Sequence, residues 1–305
     1  MLEAVDLKRS YRRFREEIVA RFRAVKSVLA ASSSLIMMEL MIQYAWITWI
    51  LPFEIVNIVF GIASWYYYTK MFQGASEVLA PYGGDPIAYI ILGMLSYSFL
   101  TQAMETMRRS VMKLVMGQYS SGGYRLSFIE YLDLAGIPPI AYAVSSYLLA
   151  AIRYVVYASC YLVVGVLVFG VRLNPSANYG GAILALLLGA LAMIGLGMIS
   201  ASMPSFIGPG VLYGVEPISW LIGLLSSVAS GVYFPPEMLP GWLRTISMFL
   251  PQTYAIESVK LALLSGYSNE MLLSRLMILA AYAVSLLLVG SLLIRRFFDR
   301  LRRGI

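Results

Sequence analysis

Residues 230–266 read SGVYFPPEMLPGWLRTISMFLPQTYAIESVKLALLSG, and this stretch decides how the chain folds. Prolines at 235, 236, 240 and 251 forbid one continuous helix. Between them Leu, Met, Phe and Trp keep recurring. Trp242, Ile246, Phe249 and Leu250 fall on one side of a short helical piece, with Arg244, Thr245 and Ser247 on the other. Beyond Pro251, Thr253 is placed to cap a helix from Tyr254, and Gly266 to stop it. Broken helix at membrane depth is tolerated only where protein or a water-filled cavity surrounds it. The segment 234–266 is therefore expected to be a re-entrant helical hairpin. Burying Glu237, Arg244, Glu257 or Lys260 in the hydrocarbon centre would cost roughly 2.5–3.5 kcal/mol each. Those charges are expected to face the interface or the mouth of a closed cavity. Trp242 and Phe249 are expected to pack inward against the ends of the neighbouring spans.

The rest of the chain supplies the membrane. Its 305 residues are 60% hydrophobic and 13% charged, with mean hydropathy +0.76. Soluble domains are about half apolar and a quarter charged. The N-terminal stretch is charged rather than an apolar core before small residues, so insertion is expected through the chain's own spans. The sequence has no His and one Cys, Cys160. That counts against a haem protein, a membrane metalloprotease or a His-dependent hydrolase, and one Cys makes no internal disulfide.

Hydropathy predicts an all-α membrane protein. Residues 1–34 read as a cytoplasmic amphipathic helix, with Tyr11, Phe14, Ile18, Phe22, Val25 and Leu29 in a stripe among Arg and Glu. Residues 35–305 form the membrane domain. Its expected parts are an elbow at 35–51, spans at about 52–70, 87–107, 140–171, 179–202, 212–233 and 275–294, and the hairpin 234–266. In the third span the membrane part is expected over 154–170, with Arg153 at the near interface. Basic clusters lie in the N-terminal helix, at Arg108, Arg109, Lys113 and Arg125, and in the tail from Arg295 to Arg303. Placing all three in the cytoplasm requires an even number of crossings. Six spans satisfy this if Leu35–Leu51 does not cross, and both termini are then cytoplasmic.

The hairpin carries a resemblance. Ser230-Gly231, Phe234-Pro235, Leu239-Pro240-Gly241-Trp242 and Pro251-Gln252-Thr253-Tyr254-Ala255-Ile256-Glu257-Ser258-Val259-Lys260, in that order before the last span, resemble the type-2 ATP-binding-cassette (ABC) permeases, the membrane subunits of exporters. The resemblance extends to the elbow, the six spans and the loop after the second span. In that loop Glu130, Leu132 and Pro138 match the family's pattern, while its Gly and Thr are replaced by Ser127 and Phe128. The resemblance implies a plasma-membrane exporter working by alternating access, on a substrate of drug, lipid or glycan type. It implies a second permease copy, identical or related, and a separate ATPase subunit that binds ATP and Mg. The sequence lacks the GxxxxGK[ST] loop that would cradle a phosphate, so no cofactor is expected in this chain. It is expected to be non-catalytic and to contact the lipid bilayer but no nucleic acid.

Given that resemblance, position singles out candidate residues. Glu130, Arg108, Arg109 and Glu39 are candidates for ATPase coupling, on the elbow and on a loop helix expected around Arg108–Leu132. Glu130 is otherwise a solvated loop carboxylate, and Glu105 either faces a cavity or pairs with Arg108 or Arg109. Glu216 is placed to favour a helix N-terminus. Asn57, Tyr97, Gln102, Ser219, Trp220 and Ser227 either line a substrate path or hydrogen-bond between helices. Pro235, Pro240, Trp242, Phe249, Pro251, Tyr254 and Glu257 are candidates for an outer gate. The alternative function is a secondary transporter or channel without an ATPase, which needs titratable groups within the membrane or inverted repeats.

Overall fold

The structure, a computed structural model, describes residues 55–56, 58–59, 61–62, 79, 82–116, 118–121, 124–127, 139–171, 173–203, 217–265 and 269–302. The expected N-terminal amphipathic helix and elbow lie outside the described residues, with most of the first span. So do Glu39, Asn57, Glu130 and Glu216.

Seven helices of nine residues or more are described: α1 (Pro86–Met116), α2 (Pro139–Leu167), α3 (Tyr179–Ser202), α4 (Pro217–Ala229), α5 (Gly241–Phe249), α6 (Pro251–Leu264) and α7 (Asn269–Arg302). A 3₁₀ turn at Pro236–Met238 joins α4 to α5. Among the described residues the regular structure is helical apart from one hairpin, in which β1 (Gln118–Ser121) pairs antiparallel with β2 (Tyr124–Ser127). This corrects the expected loop helix over Arg108–Leu132. The helix ends at Met116, and Gly122 and Gly123, favoured in two-residue hairpin connections, separate the strands in sequence.

Among the described residues, three helical segments are long and apolar enough to cross a membrane: Pro86–Met112, Tyr179–Ser202 and Glu270–Arg300. Within α2, Tyr154–Leu167 is a shorter apolar stretch. Caps set the starts of two helices. Asp85 Oδ1 accepts from the Ile87 and Ala88 amides at 2.9 and 3.2 Å ahead of α1. Asn178 Oδ1 accepts from Gly181 at 2.8 Å at the start of α3.

α3 is the central helix and packs along α7, α1 and α6. Its glycines allow this. A Cβ on Gly195 would lie 2.5 Å from the Leu286 carbonyl carbon of α7, and one on Gly197 would lie 2.5 Å from Met104 O of α1. A Cβ on Gly189 would meet Ala255 Cβ of α6 and Leu100 Cδ2 of α1, both at 2.7 Å. Without a hydrophobic drive between helices in lipid, such close backbone approach supplies the attraction through van der Waals contact. Gly195→Val is expected to destabilise the fold by about 1–3 kcal/mol through overpacking, seen as a lowered apparent Tm in detergent. Gly223→Ala, whose new Cβ meets nothing within 4 Å, should shift it far less.

Candidate functional site

The prolines divide the quoted stretch as its sequence dictates: the 3₁₀ turn, then α5 after Pro240, then α6 from Pro251. Thr253 is not the cap. Leu250, in extended conformation, precedes a helix whose first residue is Pro251, where the missing N–H costs nothing. Leu264 is its last residue, ahead of Ser265, and Gly266 lies outside the described residues.

α6 is enclosed on every side. All of its residues except Tyr254 are buried, among α1, α3 and α7. Its last carbonyls are satisfied from outside the helix: the Asn174 amide donates to Leu263 O at 3.0 Å and the Asn178 amide to Ala262 O at 2.8 Å. Its first turn meets α5, where Ser247 Oγ donates to Thr253 Oγ1 at 3.3 Å. Tyr254 and Tyr282 hydroxyls both donate to Met248 O, at 3.0 and 3.2 Å, so α5 is tied to α6 and to α7. Burial, with Tyr282 nearby, raises the Tyr254 phenol above its ordinary pKa.

Two charges enter this enclosure. Lys260 is 0% exposed. Its Nζ donates to Gly231 O at 2.6 Å and Val232 O at 3.1 Å, and lies 3.2 Å from the centroid of the Tyr89 ring. The Tyr89 hydroxyl donates to the same Gly231 carbonyl at 3.1 Å. Gly231 turns the chain out of α4 with φ +77°, a conformation costly for residues with a Cβ. Gly93 of α1 leaves the room: a Cβ there would collide with Val232 O and lie 2.9 Å from Lys260 Nζ. Burial alone pulls the Lys260 ammonium below its ordinary pKa, while the carbonyls and the ring face favour its charged form. The second charge, Glu257, forms an ion pair with Arg275 of α7.

These placements correct the expectation that Glu257 and Lys260 face an interface or a cavity mouth. Their partners come from other segments and offset the desolvation penalty that burial imposes on each charge. Glu237 and Arg244 are exposed. Trp242 and Phe249 do not pack inward either: they are 67% and 72% exposed. α5 instead turns Leu243 and Ser247 toward the protein, and Leu243 and Leu250 cluster with Ala229 of α4. Pro235 is buried and Pro240 exposed.

The remaining candidates separate. Glu105 pairs with Arg108 at 2.8 Å and Arg109 at 3.2 Å, resolving its two readings toward the local pair. The half-buried Tyr97 hydroxyl reaches Gly223 O of α4 at 3.4 Å. Gln102 is exposed. Ser227 returns its hydroxyl to Leu224 O of its own helix at 2.8 Å. Ser219 and Trp220 lie in α4, their side chains outside the description. Sequence reading passed over Tyr89, Gly93, Thr101, Gln252 and Arg275, although Gln252 lies inside the quoted motif. Among the described residues no three His, Cys, Asp or Glu side chains converge to hold a metal ion. No family model matches the chain, and no curated protein matches it significantly.

Lys260→Met keeps the bulk and removes the donors. Tyr89 still serves Gly231 O, but Val232 O loses the Lys260 side-chain donor, so a loss of about 1–3 kcal/mol is expected. Glu257→Ala alone leaves Arg275 facing no carboxylate and should cost about 3–5 kcal/mol. Combining it with Arg275→Met should recover part of that loss. A double-mutant cycle on apparent Tm reads the coupling, and strict additivity would contradict the pair.

Proposed function

We propose that the chain is the membrane subunit of an ABC exporter, a six-span permease with both termini in the cytoplasm. A partner ATPase would drive it. The observation carrying this reading is that the motif residues form one physical unit. Ser230-Gly231 ends α4, and Lys260, at the far end of the motif, binds the Gly231 carbonyl. A motif whose ends touch constrains geometry as well as order. α6, at 1.5 Å per residue, is about 21 Å long, short of the roughly 30 Å hydrocarbon core, which suits a hairpin that enters and returns. The three long apolar helices support membrane embedding.

In this reading α5 and α6 cover the outer end of the substrate path. Closure of the ATPase pair is transmitted through the elbow and the loop after α1, and the two permease copies alternate between inward- and outward-open states. The exposed apolar side of α5, with Trp242 and Phe249, then faces lipid or the second copy.

One observation favours the rival reading of a secondary transporter. Glu257, Arg275 and Lys260 bring titratable groups into the helical block, and such groups mark ion-coupled carriers. Energy source separates the two. The purified chain alone is expected to hydrolyse no ATP. Reconstituted with the ATPase that co-purifies with it, it should export substrate only with ATP, and Glu130→Arg should lower transport per ATP hydrolysed. Transport driven by an ion gradient without ATP would replace this reading with the rival.

A further inference from the structure

The charges of the enclosed block are already matched within the protein. Glu257 faces Arg275, Lys260 sits against two carbonyls and a ring, and Glu105 holds Arg108 and Arg109. Among the described residues, three of the five buried side-chain atoms left without a hydrogen-bond partner are neutral. Gln252 is 1% exposed, and its Oε1 has no hydrogen-bond partner. The buried hydroxyls of Ser226 and Ser258 lack partners as well, as do Glu257 Oε1 and Arg275 Nη1, whose opposite charges meet each other. Leaving a buried acceptor unmatched is costly in a native fold, so an unmatched amide inside a helical block calls for an explanation.

Gln252 ends a polar strip on α1. Its Nε2 donates to Thr101 Oγ1 at 3.5 Å. Thr101 lies one helical turn from Tyr97, and both are half-buried. Tyr97 in turn reaches Gly223 O at 3.4 Å. Both contacts are long beside ordinary bonds of 2.7–3.2 Å, so these groups can exchange present partners for better ones at little cost. Tyr97 and Thr101 also interact with each other, so three neutral groups from α1 and α6 stand in line, with the unmatched acceptor of Gln252 beside them.

We infer that Tyr97, Thr101 and Gln252 form a substrate subsite for an uncharged, hydroxyl-bearing head group on an amphiphile, with Gln252 Oε1 accepting a hydrogen bond from it. The inference rests on the permease reading and narrows its substrate class. Among the described residues, an anionic or cationic head placed there meets charges that already have partners: Glu257 with Arg275, Glu105 with Arg108 and Arg109, and Lys260 with two carbonyls. A hydroxyl finds an acceptor at Gln252 and hydroxyls at Thr101 and Tyr97. The apolar surroundings, Leu100, Ile222 and Ile256 among them, suit the attached hydrocarbon.

The test needs no ATPase. The full chain in nanodiscs is titrated with octyl glucoside, octyl sulfate and octyltrimethylammonium, each below its micellar concentration. Saturation-transfer NMR reads binding, with empty nanodiscs subtracted. Saturable binding of the glucoside alone is expected, weakened about fivefold or more by Gln252→Leu and similarly by Thr101→Val. Apparent Tm reports whether each variant is folded, and Thr101→Val decides if Gln252→Leu is not. Absent saturable glucoside binding, tighter binding of either charged amphiphile, or unchanged affinity in folded variants would overturn the subsite. ATP-driven transport without glucoside binding would leave the permease reading standing and remove the subsite. Glucoside binding sensitive to Gln252 in a chain whose transport ignores ATP would do the reverse.

Discussion

The contact between Lys260 and the carbonyls of Gly231 and Val232 is the constraint on which the rest of the motif region depends. Burying an ammonium costs several kcal/mol even after relaxation. Two charge-assisted hydrogen bonds at about 1.5–3 kcal/mol each and a desolvated cation–π contact of about 2 kcal/mol are of the same order. The balance closes only if all three partners are in place at once. That requires Gly231 in its left-handed conformation, Tyr89 beneath the amine, and no Cβ at Gly93. Residues from α1, from the turn after α4 and from α6 are therefore fixed by one amine. α6 becomes part of the packed block, and it carries Gln252 and Glu257 to their positions.

Rigidity elsewhere makes this anchoring useful. The glycines of α3 bring α1, α6 and α7 to backbone contact, and packed helices of this kind move as units because close-packed interiors transmit displacement. α5 is held differently. It is nine residues long, its apolar side is largely exposed, and hydroxyls tie it to its neighbours at Thr253, Tyr254 and Tyr282. In the exporter reading the hairpin thus has a fixed arm, α6, and a lightly held arm, α5, next to the neutral strip of Tyr97, Thr101 and Gln252.

Much of this was legible in the local sequence. Prolines 235, 236, 240 and 251 marked the breaks, and the spacing of Glu105 to Arg108 and Arg109 allowed their pairing. The site itself was less legible because its interactions are long-range. A penalty assigned residue by residue sends Lys260 and Glu257 to water. Their partners, at Gly231 and Arg275, sit in other elements and leave no periodic trace. The short amphipathic pattern of α5 was visible, but a helical wheel does not say which face meets protein when lipid is an equally apolar neighbour. Trp242 and Phe249 were misplaced for that reason. The β-hairpin after α1 was hidden by reading its polar stretch as continued helix, although Gly122-Gly123 carried the signal.

The central claim of the exporter reading is that residues 230–265 enter the membrane and return to the side they came from, with α6 buried in the helical block but not crossing. Met238 and Glu270 flank the hairpin arms, and both are exposed. In a Cys160→Ala background, Met238→Cys and Glu270→Cys are reconstituted separately into sealed, uniformly oriented vesicles and treated with a membrane-impermeant thiol reagent from one side. The account predicts that both positions label from the same side. Labelling of the two from opposite sides would mean that α6 spans the membrane, and would contradict it.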